Sequence, residues 1–244
     1  MHTQWILVTG GSRGIGRATV LRLAKQWNVV FTWCKDEDAA REVELAGKAL
    51  PGTVKGFQCD GCDEQAVIGL ATDLLARFGA PYALVHNAGV TLDALHIQQS
   101  AANWHKVMDT NLNAVFYWNK LLLEPMMMQG TGSVVMMSSV TGVKGNSGQS
   151  AYAASKAAMM GLTRSLSVES GRFGIRVNCL LPGYIDTQIM DSIPKVKLAE
   201  LRKTIPMKRF GNVDEVASAV AWLVSDESSY MTGQTLILDG GLSA

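Results

Sequence analysis

The chain has 244 residues, 48% of them hydrophobic and 18% charged, which supplies one large core and is the wrong composition for a disordered protein. A net charge of +1 with no basic run behind it leaves out the electrostatic footprint of a nucleic-acid or anionic-membrane binder. Four scattered cysteines, and an opening M-H-T-Q-W-I-L-V-T-G that enters an apolar strand without a leader-like pattern, set the expectation of a reduced, cytoplasmic protein forming one domain over residues 1–244.

In chain order, short apolar runs alternate with longer amphipathic segments. The pattern predicts a strand at Trp5–Thr9 and a helix at Gly14–Gln26, then Val29–Trp33 and Glu37–Ala49, Val54–Cys59 and Glu64–Phe78. It continues with strand Ala83–His86 and one long helix Ala101–Met128, strand Ser133–Met137 and helix Ala151–Arg172, strand Ile175–Leu181, helix Val213–Ser225 and strand Thr235–Leu238. With right-handed crossovers this is a doubly wound α/β domain, a seven-stranded parallel sheet with helices on both faces. Tyr184–Lys208 has the least regular pattern and is expected to be a mobile segment over the carboxyl edge, where ligands bind in such sheets.

The first strand runs into T-G-G-S-R-G-I-G, with Gly10, Gly14 and Gly16 directly before a helix. Glycines there let the backbone turn sharply and approach a pyrophosphate, which the helix N-terminus attracts with free N–H groups and a positive dipole end. The spacing differs from G-x-G-x-x-G, so an ordinary strand-to-helix turn is the competing reading. Cys59 and Cys62 form a C-x-x-C with no second pair and no nearby histidine, so no metal site is expected. Tyr152 and Lys156 lie four apart and therefore on one helix face. A unit charge about 5 Å from the phenol, at an effective dielectric of about 20, favours the phenolate by roughly 3 kcal/mol, so Lys156 is expected to lower the Tyr152 pKa.

Gly10/Gly14/Gly16, N-A-G at Asn87–Gly89, Asn111, Ser139, Tyr152-x-x-x-Lys156 and Pro182-Gly183, in that order over essentially the whole chain, resemble the classical short-chain dehydrogenase/reductase family. N-A-G-V-T-L-D-A-L, G-N-S-G-Q-S-A-Y-A-A-S-K and M-T-G-Q-T-L-I-L-D-G-G look like its 3-oxoacyl-[acyl-carrier-protein] reductases. The resemblance implies a Rossmann-type fold and NADPH-dependent reduction of a carrier-bound 3-oxoacyl thioester in fatty-acid, polyene or polyketide-like elongation. The alternatives are a reductase or dehydrogenase of a free ketone or secondary alcohol, and a dinucleotide-binding subunit without catalysis.

By the same resemblance Tyr152 donates the proton, Ser139 polarises the carbonyl, Asn111 holds a relay water, and Lys156 also binds the nicotinamide ribose. Cofactor binding is carried over to Gly10, Ser12, Arg13, Gly14, Ile15, Gly16, Lys35, Asp60, Asn87, Ala88, Gly89, Tyr152, Lys156, Pro182, Gly183, Ile185 and Thr187. NADP(H) is expected over NAD because Cys34 stands where NAD-selective relatives usually carry an acid, with Lys35 next and Arg13 as a second cation; Asp36 is the complication. Asp60 is expected at the adenine amino group or, alternatively, as a helix N-cap before D-E-Q. A capping or kink role is the plainer reading of Asn111, and packing that of His86. His2, His96 and His105 have no ligand spacing, and the methionine runs Met126–Met128 and Met159–Met160 suggest adaptable packing.

Relatives commonly form homotetramers through the long helices and the C-terminal strand, and meet their acidic carrier with cations. The segment before the fifth strand, M-M-M-Q-G-T-G, has none, leaving Arg172 and Lys195, Lys197, Arg202 and Lys203 as candidate contacts, or a partner subunit to supply the charge.

Overall fold

The computed structural model describes residues 4–188 and 194–244. Seven parallel strands form one sheet in the order β3-β2-β1-β4-β5-β6-β7: β1 Trp5–Val8, β2 Asn28–Trp33, β3 Val54–Gln58, β4 Ala83–His86, β5 Gly132–Met137, β6 Ile175–Pro182 and β7 Thr235–Leu238. The order reverses between β1 and β4, where Ile6 pairs with Ala83 and Val8 with Val85, and the carboxyl edge at such a switch point is where doubly wound sheets bind ligands. The central strands are buried end to end, as a parallel sheet covered on both faces requires.

The two faces can be read from the alternation within a strand. Trp5 and Leu7 of β1 point into one core with α3 (Glu64–Phe78), α5 (Ala114–Gln129) and α7 (Ser150–Ser170). Ile6 and Val8 point into the other, with α1 (Gly14–Leu23), α2 (Glu37–Gly47) and α9 (Val213–Val224). Side-chain caps start several of these helices where the pattern demanded a start: Asp36 for α2, Asp63 for α3, and Asn212 for α9, the last in a reciprocal capping box with Glu215.

The long helix expected over Ala101–Met128 is broken. It begins as α4 (Ala101–Met108), passes through a π turn at Asp109–Asn113 and resumes as α5. The break holds Asn111, whose side chain leaves the helix to bond a neighbouring loop. A widened turn of this kind is a common device at functional sites. The irregular segment Tyr184–Lys208 is also corrected, for it contains a ten-residue helix, α8 (Lys195–Thr204). Its residues 189–193 lie outside the described residues, as does His2. Three short elements escaped the sequence pattern, 3-10 turns at His96–Gln98 and Asp226–Ser228 and the four-residue α6 (Thr141–Lys144). Among the described residues no helix is long and apolar enough to cross a membrane.

His86 is a core residue. It is 2% exposed at the end of β4, and its Nε2 lies 2.8 Å from Asn119 Oδ1. Burial drives its pKa down from 6.5 to about 4, so the ring is neutral at ordinary pH. An unfolded chain takes up that proton near 6.5 while the folded chain refuses it until about 4, so stability is fully present above 6.5 and falls across this window. His86→Asn is expected to flatten the loss of stability between those limits, by an amount on the order of 3 kcal/mol. Urea denaturation at a series of pH values checks this, and an unchanged slope would contradict it.

Candidate active site

The site assembles where six chain segments meet at the carboxyl edge. The first is the glycine loop after β1. Gly10 has φ +67° and Gly14 φ +53°, conformations that resist a side chain. A Cβ at Gly10 would lie 2.9 Å from Ala88 Cα, and one at Gly16 would lie 2.1 Å from Gly10 O and 2.6 Å from Asn87 Nδ2. The second segment, Asn87–Ala88–Gly89, is therefore packed directly on the first. Asn87 donates its amide to Thr9 O at 3.1 Å and Gly10 O at 2.9 Å, while Thr9 Oγ1 accepts from the backbone of Asn87 and Ala88. Asn87 thus braces the loop with its side chain.

Beyond the glycines α1 begins without a side-chain cap and without an acid in its first turn, leaving free N–H groups at a positive dipole end. Ser12, Arg13, Gly14 and Thr187 line one cleft of about 1090 Å³ at this end. Thr187 Cγ2 comes within 3.8 Å of where a Gly14 Cβ would be, so the segment after β6 crosses over the glycine loop. Ile15 packs partly against the core under α1. Pro182 and Gly183 end β6, Pro182 O accepting from Val140 N and Gly183 N donating to Leu238 O, and Ile185 bridges to Gly211. This uncapped, side-chain-free cradle beside a cation fits a dinucleotide phosphate.

Asp36 also lines the cleft, and its Oδ1 caps α2 through Ala39 N at 3.0 Å. Lys35 is exposed, its charge felt at Cys34 and Asp60. The N-cap reading of Asp60 is corrected: Asp63 caps α3, and Asp60 Oδ1 instead accepts from Cys62 N at 3.0 Å, the main reason its pKa is lowered.

The remaining segments carry the reactive groups. β5 delivers Ser138 and Ser139 at its end, and they part company. Ser138 Oγ, buried, donates to Lys156 O at 2.7 Å, whereas the partly exposed Ser139 Oγ accepts from Thr141 N at 3.1 Å and acts on the Tyr152 phenol to lower its pKa. The π turn delivers Asn111, fully buried, with Oδ1 accepting from Val90 N at 2.8 Å and Nδ2 donating to Val90 O and Ser155 Oγ, both at 3.0 Å. Ser155 was not singled out from the sequence, although its place three residues after Tyr152 was the available signal. Lys156 is 3% exposed and donates from Nζ to Met137 O at 2.7 Å. A Cβ on Gly89 would meet both Asn111 Oδ1 and Lys156 Nζ at 3.3 Å, which is why the third residue of N-A-G has no side chain.

One expectation about the Tyr152 phenol is overturned. Its pKa is raised, chiefly by burial, with the Ser139 hydrogen bond opposing and the Asp93 carboxylate adding. Lys156 Nζ sits 5.6 Å from the ring centroid, against the ring and bonded to a backbone carbonyl, so its charge is not directed at the phenol oxygen. Burial also lowers the Lys156 pKa, to about 8.

A second correction concerns Arg172. It follows the end of α7, and 20 residues of helix at 1.5 Å each put it about 30 Å from Tyr152, at the amino edge of the sheet. The segment Met126–Gly132 is beside it, since Gly132 N bonds Gly174 O at 3.2 Å. Neither lies at this chain's own site mouth. Among the described residues no group of three or more His, Cys, Asp and Glu is arranged to hold a metal.

A family model described as "Enoyl-(Acyl carrier protein) reductase" matches residues 10–243. The chain is 36% identical to the 3-oxoacyl-[acyl-carrier-protein] reductase FabG of Thermotoga maritima, covering 97% of this chain and 96% of that protein. It is also 36% identical to the proteins of the same name from Salmonella typhimurium (97% and 96% covered) and Staphylococcus aureus strain Mu50 (98% of each).

The closest packing in the glycine loop gives a direct test. Gly16→Ala forces a methyl group against backbone and the Asn87 amide, and is expected to lower stability by about 1–3 kcal/mol. A urea midpoint equal to wild type would show that the loop relaxes freely.

Proposed function

The chain belongs to the short-chain dehydrogenase/reductase family, and from that premise we propose that it reduces the 3-oxo group of an acyl chain held on an acyl carrier protein, with NADP(H) as cofactor, in chain elongation of the fatty-acid type. The observation that carries this reading is the pair of hydroxyls, Ser139 after β5 and Tyr152 on α7, beside the buried Lys156 ammonium at the carboxyl edge of the sheet.

A carbonyl being reduced gathers negative charge on oxygen, and the two hydroxyls answer it differently. Ser139 donates a hydrogen bond and keeps its proton, polarising the carbonyl. Tyr152 gives its proton up. The raised pKa leaves the phenol protonated before the event but makes it a weaker acid, so its proton moves only as negative charge gathers on the carbonyl oxygen. Lys156 Nζ lies 5.6 Å from the centroid of the ring on which the phenolate forms. Asn111 fixes the loop after β4 against α7 through Val90 and Ser155, and so holds the segment over the reacting centre.

When bound, NADPH supplies the hydride. Gly10, Ser12, Arg13, Gly14, Ile15 and Gly16, with the free N-terminus of α1, hold the phosphate portion. Asn87–Ala88–Gly89 and Pro182, Gly183, Ile185 and Thr187 border the remainder, and Tyr152 and Lys156 meet the ribose beside the reacting ring. Preference for the 2′-phosphate rests on Arg13 and Lys35, with Asp36 occupied in capping α2. Asp60 stands at the adenosine end.

The protein works in the cytoplasm as a homotetramer. Exposed Phe116 and Met128 on α5 and Val168 on α7, together with the open edge of β7 and its exposed Ile237, support contacts through those elements. For carrier docking the favoured surface is α8, whose Lys195, Lys197, Arg202 and Lys203 face a single Glu200 in charge and which follows β6 at the carboxyl edge. Contact through Arg172 serves a carrier only when its acyl chain enters a second copy's site.

Turnover compared on a carrier-bound 3-oxoacyl chain, the matching N-acetylcysteamine thioester and a free ketone tests the substrate class. Preference for the carrier-bound chain is expected, and equal or faster ketone reduction would refute it. Tyr152→Phe is expected to lower turnover at least about a hundredfold while NADPH binding persists, and near-normal turnover would remove the mechanism. Replacing Lys195 and Lys197 together by Glu is expected to raise KM for the carrier-bound substrate, to weaken its salt dependence and to spare the small thioester. A KM unchanged at low salt would rule this surface out.

A further inference from the structure

The C-x-x-C at Cys59–Cys62 is used neither by the mechanism nor by the cofactor cradle, and folding gives its two thiols different fates. Cys59, at the end of β3, is 8% exposed, and burial pushes its thiol up to about 11. Cys179, buried on β6, is pushed up to about 11 for the same reason. Cys34 is exposed, and partial burial together with the Asp60 carboxylate raises its pKa. Cys62 has a setting of its own. It is partly exposed, and its Sγ lies 3.4 Å from Lys106 Nζ and 3.2 Å from Thr110 Oγ1.

Both neighbours suit a sulfur anion. An ammonium carries donors only, so Cys62 Sγ is the acceptor in its contact with Lys106. The Thr110 hydroxyl gives its proton to Lys106 O at 2.8 Å, and rotation about its C–O bond redirects that proton to the sulfur beside it. The nearest opposing charge is Asp60, whose Oδ1 accepts from Cys62 N at 3.0 Å, with the exposed Asp63 following. Lys106 and Lys35 both act on Asp60, so that carboxylate is itself met by cations. A partly exposed thiol beside an ammonium is the setting of a reactive cysteine, whereas Cys59 and Cys179 have that of inert ones.

The sulfur also stands at a junction. Asp60, Gly61 and Cys62 form a tight turn after β3, and a Cβ on Gly61 would lie 3.2 Å from Ala114 Cβ, so this turn packs directly on the start of α5. Thr110 belongs to the π turn and adjoins Asn111. A second sulfur bonded to Cys62 at about 2 Å needs room that the Thr110 and Lys106 contacts occupy. Those contacts then open, and the turn that holds Asp60 shifts.

We propose that Cys62 is a modification site, a nucleophilic thiolate paired with Lys106 that exchanges with low-molecular-weight disulfides and, once capped, weakens NADPH binding through the Asp60 turn. The effect on NADPH rests on the cofactor reading above; the thiol chemistry stands apart from it. The thiol proton passes to solvent, and the Cys62 thiolate attacks one sulfur of the disulfide. That S–S bond breaks as a mixed disulfide forms on Cys62, and the other half leaves as a thiolate. The protein sulfur is oxidised, the departing sulfur is reduced, and a free thiol reverses the exchange.

The full-length protein is treated with dithiobis(nitrobenzoate), a coloured aromatic disulfide, and separately with oxidised glutathione. Peptide mass mapping of wild type, stopped after the fast phase of thionitrobenzoate release, is expected to place the label on Cys62, so its location depends on no variant. Cys62→Ser is expected to lose the fast phase, Cys34→Ser to keep it, and Lys106→Met to slow it at least about threefold. Protein capped by glutathione is expected to bind NADPH at least about tenfold more weakly in a fluorescence titration, and to recover with dithiothreitol. A fast-phase label on Cys34, or an unchanged rate in Lys106→Met, would overturn the activated thiol. Unaltered NADPH affinity with Cys62 fully capped would overturn its hold on the cofactor. Failure of the cofactor reading is distinct, because unmodified protein then fails to bind NADPH before any thiol reacts.

Discussion

An ammonium group that is 3% exposed has to be solvated by the protein itself, and the carboxyl edge of the sheet is organised around doing so for Lys156. Its Nζ bonds the carbonyl of Met137, the last residue of β5, at 2.7 Å. Ser138, the next residue, clamps the helix down by donating to Lys156 O. Gly89 gives way so that the ammonium can lie beside the loop after β4, and the Tyr152 ring provides an apolar wall with a negative face. These partners come from the end of β5, the loop after β4 and α7 itself. The residual cost shows in the lowering of the Lys156 pKa to about 8, caused by burial.

The same edge holds a second, drier constraint in the glycine loop. Phe31 of β2 is fully buried, and a Cβ at Gly11 would fall 2.5 Å from its Cβ, so the chain leaving β1 has no room except along the path it takes. Thr9 and Asn87 then tie the ends of β1 and β4 together with side-chain hydrogen bonds just where the strand order reverses. The crevice is held open by polar bonds across it, which is a stiffer arrangement than loop packing alone. One half of the site is thus rigid by sterics and the other by the demands of a buried charge.

Strand positions and the two-faced sheet were legible from alternation, and the shared face of Tyr152 and Lys156 from their four-residue spacing, whereas Ser139 and Asn111 were picked out only through the family resemblance. What was not legible depends on where side chains go once the chain is folded. The π turn at Asp109–Asn113 follows from the pull of Val90 and Ser155 on Asn111, residues 21 and 44 positions away, and the surrounding helical pattern does not encode it. The sign of the Tyr152 shift was misread for a related reason. Helical spacing brought Lys156 to the right face, but the bond to Met137 O and the burial of the phenol decide the balance. Cys62 and Lys106 are 44 residues apart and carried no pattern that links them.

The misplacement of Arg172 comes from a property of parallel sheets. A helix that starts at the carboxyl edge must end at the amino edge to feed the next parallel strand, so sharing a helix with Tyr152 guarantees that a residue at the far end is remote from it. The segment before β5 falls to the amino edge by the same rule, which is why it lies beside Gly174 and Arg172 rather than beside the substrate. Only residues at the starts of helices and ends of strands, or in segments such as α8 that leave β6 and return to α9 without crossing the sheet, can face a ligand entering the crevice. By that criterion the cations of α8 and the Cys62 turn after β3 stand on the same side of the molecule.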